Sequence, residues 1–267
     1  MRRLLLVLMS LALAACASVP RPGGTADSAS SAPSATPSTA ATAPPYEAWA
    51  RVLGRFVDDQ GRVDFAALAK DRADLDQFVG YVYDVGPNNQ PQLFPTTDHV
   101  LAYHINAYNA LAMYKVLAAG IPHSLGGLHK LAFFYFGKLQ VGAQTISLYD
   151  YENTVIRALG DARIHMALNC MSVSCPRLPR EPFLPQTLNA QLDREARTFF
   201  NDARNVAVND AAQVLRLSEI LAFYTSDFLA QAPTLAAYVN RYREPKVPET
   251  YAVEFVPYDW TIHRQPR

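Results

Sequence analysis

The stretch TTDHVLAYHINAYNALAMYKVLAAG, residues 96–120, decides the fold. Thr96, Thr97 and Asp98 are residue types that cap helix starts. Gly120, with Pro122 just beyond, is a stop signal, so the spacing predicts one long helix over residues 98–119. Its apolar residues, Leu101, Ile105, Tyr108, Leu111, Met113, Val116 and Leu117, fall on every side of the cylinder. A helix that is apolar all round must be buried, so the rest of the chain is expected to wrap around it.

Outward from it, residues 46–56 and 64–83 carry apolar positions at helical spacing, broken by Gly86-Pro87-Asn88-Asn89. Later helices are expected over residues 148–159, 187–200, 219–229 and 234–241. Strands are expected over residues 164–169, 206–208, 214–217 and 252–256. The fold class that follows is α+β, a helix-rich single domain over residues 46–267 with a small, mostly antiparallel sheet.

The first 45 residues read differently. Arg2 and Arg3 precede the apolar run of residues 4–15, which ends Leu13-Ala14-Ala15-Cys16. Twelve helical residues rise about 18 Å, too short for a bilayer core of about 30 Å, so residues 1–15 read as a cleaved signal. The Leu-Ala-Ala-Cys box resembles bacterial lipoprotein signals. That resemblance implies diacylglycerol and N-acyl (palmitate-type) modification of Cys16, and Ala17 after it favours the outer membrane facing the periplasm. The expected partner is therefore the membrane, through lipid on Cys16. Of residues 17–45, 26 are Ala, Ser, Thr, Pro or Gly, a composition that cannot bury enough surface to order itself; residues 16–45 are expected to be a lipidated, disordered tether.

Composition excludes some functions. The chain has 24 basic and 24 acidic residues, so nothing draws it to nucleic acid by charge, and no nucleic-acid partner is expected. There is no G-x-S-x-G, no H-E-x-x-H, no P-loop and no dinucleotide fingerprint, and no cofactor is expected. Two cysteines with four residues between them plus one histidine lack the second half of a zinc spacing, so no metal site is expected either.

Three features carry chemistry. Asn106 and Asn109 share one face of the buried helix, and buried amides need partners or cost about 1–3 kcal/mol each. They serve either to pin loop backbone or to orient a catalytic group. Glu152 points into the apolar stripe formed by Leu148, Val155, Ile156 and Leu159. A carboxylate there must be paired, and Arg163, His165 and Arg177 are the candidate partners. Third, residues 163–178, RIHMALNCMSVSCPRL, put His165, Ala167 and Asn169 on one face of an expected strand, with Cys170 and Cys175 just beyond.

Two functions follow from that third feature. In one, Cys170 is a nucleophile, His165 its base and Glu152 or Asn106 the orienter, with backbone amides after Cys170 as an oxyanion hole. This is a thiol-dependent hydrolase or acyl-transferase acting on an amide or ester, with Asn109, Asn169, Cys175 and Arg177 as surrounding polar groups. In the other, Cys170 and Cys175 form a structural disulfide in a non-catalytic envelope binding or scaffold module.

With these residues in place, the chain resembles the family known as domain of unknown function 547. The matching pieces are Ala102-Tyr-His-Ile-Asn-Ala-Tyr-Asn109, the acidic helix from Ser147 to Arg157, Arg163 to Leu178 with H-x-A-L-x-C and C-P-x-L, and the closing Tyr258-Asp259-Trp260. The core of the match covers about residues 93–200, and the pieces occur in the family's order. The family usually has Trp where this chain has Tyr103 or His104, and often Glu-His where it has Glu152-Asn153. The resemblance implies a shared fold and site location and leaves the reaction open.

Overall fold

The computed structural model describes residues 19–22 and 43–266. The expected signal peptide and Cys16 lie outside the described residues. The central helix, Thr97–Ala118, forms as its sequence requires. The Thr96 hydroxyl accepts the His99 amide at its start. At its end Gly120 adopts φ +73°, and the Ile121 amide bonds back to the Val116 carbonyl. Every side chain from Leu101 to Val116 is buried.

Helix Tyr46–Phe56 packs on helix Ala73–Asp84, which packs on the central helix. Trp49, Phe78, Leu53 and Val79 fill the space between them. A second, smaller core lies beneath helix Leu188–Asn201 and a three-stranded sheet of β3 (Val206–Asn209), β4 (Val214–Ser218) and β5 (Ala252–Val256). β3 pairs antiparallel with β4, and β5 adds parallel to β4. A separate antiparallel hairpin, β1 (Lys138–Val141) and β2 (Gln144–Ser147), stands beside the central helix's end of the molecule. The class is α+β, with two small sheets where one was expected.

One expectation needs correction. Residues 164–169 do not form a strand: Ala162–Met166 is a 3₁₀ helix, opened by the Asp161 carboxylate accepting the Arg163 amide. Its residues are buried on both the Ile164 and the His165 side, and alternation reports a strand only where one face is solvated. Asn109 also takes the Ala167 carbonyl and the Asn169 amide, so this backbone has no ladder partner to seek. Within the stretch read as tether, residues 19–22 lie on the domain. The Val19 amide donates to the Lys138 carbonyl at β1, and the Tyr83 and Tyr114 hydroxyls donate to the carbonyls of Val19 and Pro20.

The helix expected over residues 148–159 forms but changes winding. It starts as α at Leu148–Asp150, capped by Ser147, widens to π at Tyr151–Ile156 and tightens to 3₁₀ at Arg157–Leu159. A second π turn, Leu131–Phe136, precedes β1. π turns occur disproportionately at functional sites, and both of these border the same cavity.

Candidate functional site

The floor of that cavity is built by a tight loop. Asn169 is locked by three hydrogen bonds: its amide nitrogen reaches Asn109, its side chain donates to the Pro176 carbonyl, and its Oδ1 accepts the Met171 amide. Met171 is forced to φ +73°, a region that costs a side chain about 1–3 kcal/mol. The C-terminal segment closes over this loop, with Val173 and Ser174 amides donating to the carbonyls of Thr261 and Asp259. That zipper brings Tyr258 to the two sulfurs.

Cys170 and Cys175 are free thiols whose sulfurs lie 2.7 Å apart, beyond the 2.05 Å of a covalent bond. The expected disulfide is not formed. In its place Cys175 Sγ sits in a ring of donors: the Cys170 amide at 3.0 Å, the Tyr258 hydroxyl at 3.1 Å and the Ser172 hydroxyl at 3.4 Å. Burial works against ionising either thiol. For Cys175 the hydrogen bonds from Cys170, Ser172 and Tyr258 outweigh it and bring the thiol down to about 7. Burial, together with the neighbouring Cys175, pushes Cys170 well up. The donors therefore favour ionisation at Cys175 over Cys170, the cysteine that the sequence reading took as nucleophile.

One wall carries Glu152, in the π turn. Its carboxylate is buried and paired as expected, but with hydroxyls: Tyr108 donates to Oε2 at 2.8 Å and Tyr224 to Oε1. None of Arg163, His165 and Arg177 reaches it. Arg163 is held by Asp161 and Asp193, and Arg177 by Glu195. Tyrosines satisfy the carboxylate because each brings one donor and an apolar ring, so no second charge has to be desolvated.

The adjoining wall carries His165. Its ring stacks on Tyr224 with centroids 3.9 Å apart, and its Nε2 lies 2.9 Å from Asp227. Asp227 also receives a two-pronged Arg157 guanidinium at 2.8 and 2.7 Å. Arg157 first and His165 second hold that carboxyl well below the usual range. His165 Nδ1 makes no hydrogen bond. Neither sulfur is hydrogen-bonded to His165; the thiols bond to one another, to Ser172 and to Tyr258.

The cavity, of about 330 Å³, brings together Glu152, His165, Cys170 and Cys175, along with Tyr108, Tyr224, Tyr258 and Arg157. Asn106, Asn109, Asn169 and Arg177 do not line it. Asn106 is a backbone pin: it accepts from Trp49 and the Phe183 amide and donates to the carbonyls of Ala102 and Phe183. It orients no catalytic group. Of the amides after Cys170, those of Met171, Val173, Ser174 and Cys175 are engaged by protein acceptors and are not free for the expected oxyanion hole, while the Ser172 and Tyr258 hydroxyls lie beside the sulfurs.

Sequence reasoning missed Tyr224, Asp227 and Ser172. Tyr224 and Asp227 lie beyond residue 219, in a segment that reads as an ordinary amphipathic helix. Tyr258 was visible only as part of the closing Tyr-Asp-Trp.

Residues 94–200 match the family model described as protein of unknown function, DUF547. That segment holds the central helix, both π turns, Glu152, His165 and both thiols. Tyr224, Asp227 and Tyr258, which complete the cavity, come from outside it. No curated protein and no solved structure matches the chain.

Proposed function

We propose that this cavity is a thiol-dependent acyl-transfer centre, acting on an ester or amide, with Cys175 as nucleophile. The observation that carries the reading is the donor ring around Cys175 Sγ, placed in a cavity whose walls hold a His–Asp pair. Attack by Cys175 on the acyl carbon forms a C–S bond and breaks the C–O or C–N bond. His165, steadied through Nε2 by Asp227, takes up the proton that the Cys175 thiol releases and passes it to the leaving group, then takes one from the water or acceptor that receives the acyl group and returns it to the sulfur. The Tyr258 hydroxyl, already 3.1 Å from Sγ, is placed to hydrogen-bond the oxyanion that forms beside it. Glu152 fixes Tyr108 and Tyr224, and Tyr224 in turn is the platform on which His165 stacks. The lipoprotein-type start supports a protein held by lipid on Cys16 in the bacterial envelope, facing the periplasm.

The sulfur–sulfur contact at 2.7 Å favours a second reading, a dithiol that passes between reduced and disulfide forms. One experiment separates the two. The full chain is incubated with p-nitrophenyl acetate, quenched in acid and mapped by mass spectrometry. Acyl transfer gives an acetyl adduct on Cys175, lost in Cys175→Ser and retained in Cys170→Ser. The dithiol reading gives no adduct, and a mass lower by two hydrogens on treatment with a mild disulfide.

A further inference from the structure

The segment that gives the cavity Lys130, Phe134 and Tyr135 also leaves large apolar side chains in solvent. Leu128 is 82% exposed, Phe136 58% and Leu131 43%, all within residues 128–136. Tyr135 and Tyr149 stack at the rim with centroids 4.5 Å apart, and both line the cavity. Large apolar side chains left this bare within one short segment mark a contact surface. The patch is also rigid. Lys115, rooted in the central helix, donates its ammonium to the carbonyls of Phe133 and Gly137 and so clamps the π turn from beneath.

Two further facts select the occupant. Residues 99–149 contain no Asp or Glu, and Lys130, whose ammonium lies over the Trp260 ring, sits within the segment, while Lys138 is paired with Asp150; an apolar wedge with a cation beside it suits lipid headgroups. The second is where the N-terminal chain is held. Val19 is fixed to Lys138, two residues beyond Phe136, and its side chain packs against the core. The Arg21 guanidinium adds an ion pair to Asp84. Cys16 precedes Val19 by three positions, a span of at most about 10 Å. A lipid on Cys16 would therefore leave the protein beside Phe136, and the long Ala/Ser/Pro/Thr stretch, which follows the docked segment, could not hold the domain away from the bilayer.

We propose that Leu128, Leu131 and Phe136 seat on the lipid bilayer, with the mouth of the Cys175 cavity against the headgroup layer. The acyl donor or acceptor is then drawn from the membrane. The surface rests on lipidation of Cys16; only the substrate class also rests on the acyl-transfer reading.

The test is hydrogen–deuterium exchange on the full lipid-modified chain in phosphatidylcholine–phosphatidylglycerol vesicles, compared with the full chain carrying Cys16→Ser in solution. Amides of residues 128–137 should exchange at least about threefold more slowly on vesicles, with residues 206–216 unchanged. The triple variant Leu128→Glu/Leu131→Glu/Phe136→Glu, altered only at exposed side chains, should stay anchored and lose that protection. Equal exchange in both states, protection confined to another face, or a mature chain without lipid on Cys16 would each overturn the proposal. Iodoacetamide labelling of Cys175 in the solution sample reads the thiol independently. A reactive thiol without vesicle protection refutes the membrane surface alone; protection with an inert thiol refutes the acyl-transfer reading alone.

Discussion

Two polar clusters lie within a few residues of one another, and they spend their hydrogen bonds differently. Asn106, Asn109 and Asn169 bond almost wholly to backbone, closing the loops at residues 167–171 and 183 against the central helix. Cys170, Cys175, Glu152 and His165 bond mainly to other side chains, face a cavity, and leave one histidine nitrogen without a partner. The first cluster resembles a set of rivets, its capacity exhausted by the fold. The second borders a cavity, where the side chains rather than the backbone meet what enters. The difference teaches that burial of a polar residue identifies neither role; the identity of its partners does.

The comparison breaks most visibly at Cys175→Ser. Acyl transfer and alkylation at this site should fall at least about a thousandfold, because a serine hydroxyl in the same donor ring stays protonated. The urea midpoint should move little. On the other side, Asn106→Ala strands the Phe183 amide and carbonyl and the Trp49 indole. It should cost about 3 kcal/mol in urea unfolding while leaving the pH midpoint of Cys175 alkylation unchanged. A loss of thiol reactivity without loss of stability in this variant would erase the distinction between the clusters.

His104 sharpens the scaffold side. Burial lowers its imidazole to about 4, and its Nδ1 meets the Tyr151 hydroxyl at 2.7 Å. Between about pH 6.5 and 4 the unfolded chain binds a proton there that the folded chain does not, so this residue's contribution to stability falls as pH drops through that window. The fall totals about 3 kcal/mol. His104→Gln, compared with the parent by urea titration at pH 7 and pH 4.5, should lose less stability on acidification. Smallest is Tyr258→Phe, which removes one donor from the thiolate. The alkylation midpoint of Cys175 should rise by about one unit, roughly 1.4 kcal/mol, with stability changed by less than that.

Much of the framework was legible because it depends on local signals. The capped, all-round apolar central helix forms within a residue or two of its expected ends, and the strands at residues 206–208, 214–217 and 252–256 appear where alternation and turns put them. The burial of Glu152 followed from helical geometry alone. Its partners did not, because Tyr108 and Tyr224 count as apolar core residues in any periodicity, and their hydroxyls matter only once the tertiary fold sets them opposite a carboxylate. The 3₁₀ helix at Ala162–Met166 was hidden for a related reason: a segment buried on both sides has no solvent face to give its period away. Which cysteine is activated was equally out of reach, since it depends on the Cys170 amide and on Tyr258, 83 positions further along the chain from Cys175.

The central claim is that Cys175 is the activated thiol of the cavity. Its most direct test is residue-resolved iodoacetamide labelling of the full chain, purified without reductant, from pH 5 to pH 10. The account predicts labelling of Cys175 with a midpoint near pH 7 and slow labelling of Cys170 throughout. Labelling of Cys170 first, a Cys175 midpoint near 9, or no labelling of either residue before reduction would contradict it.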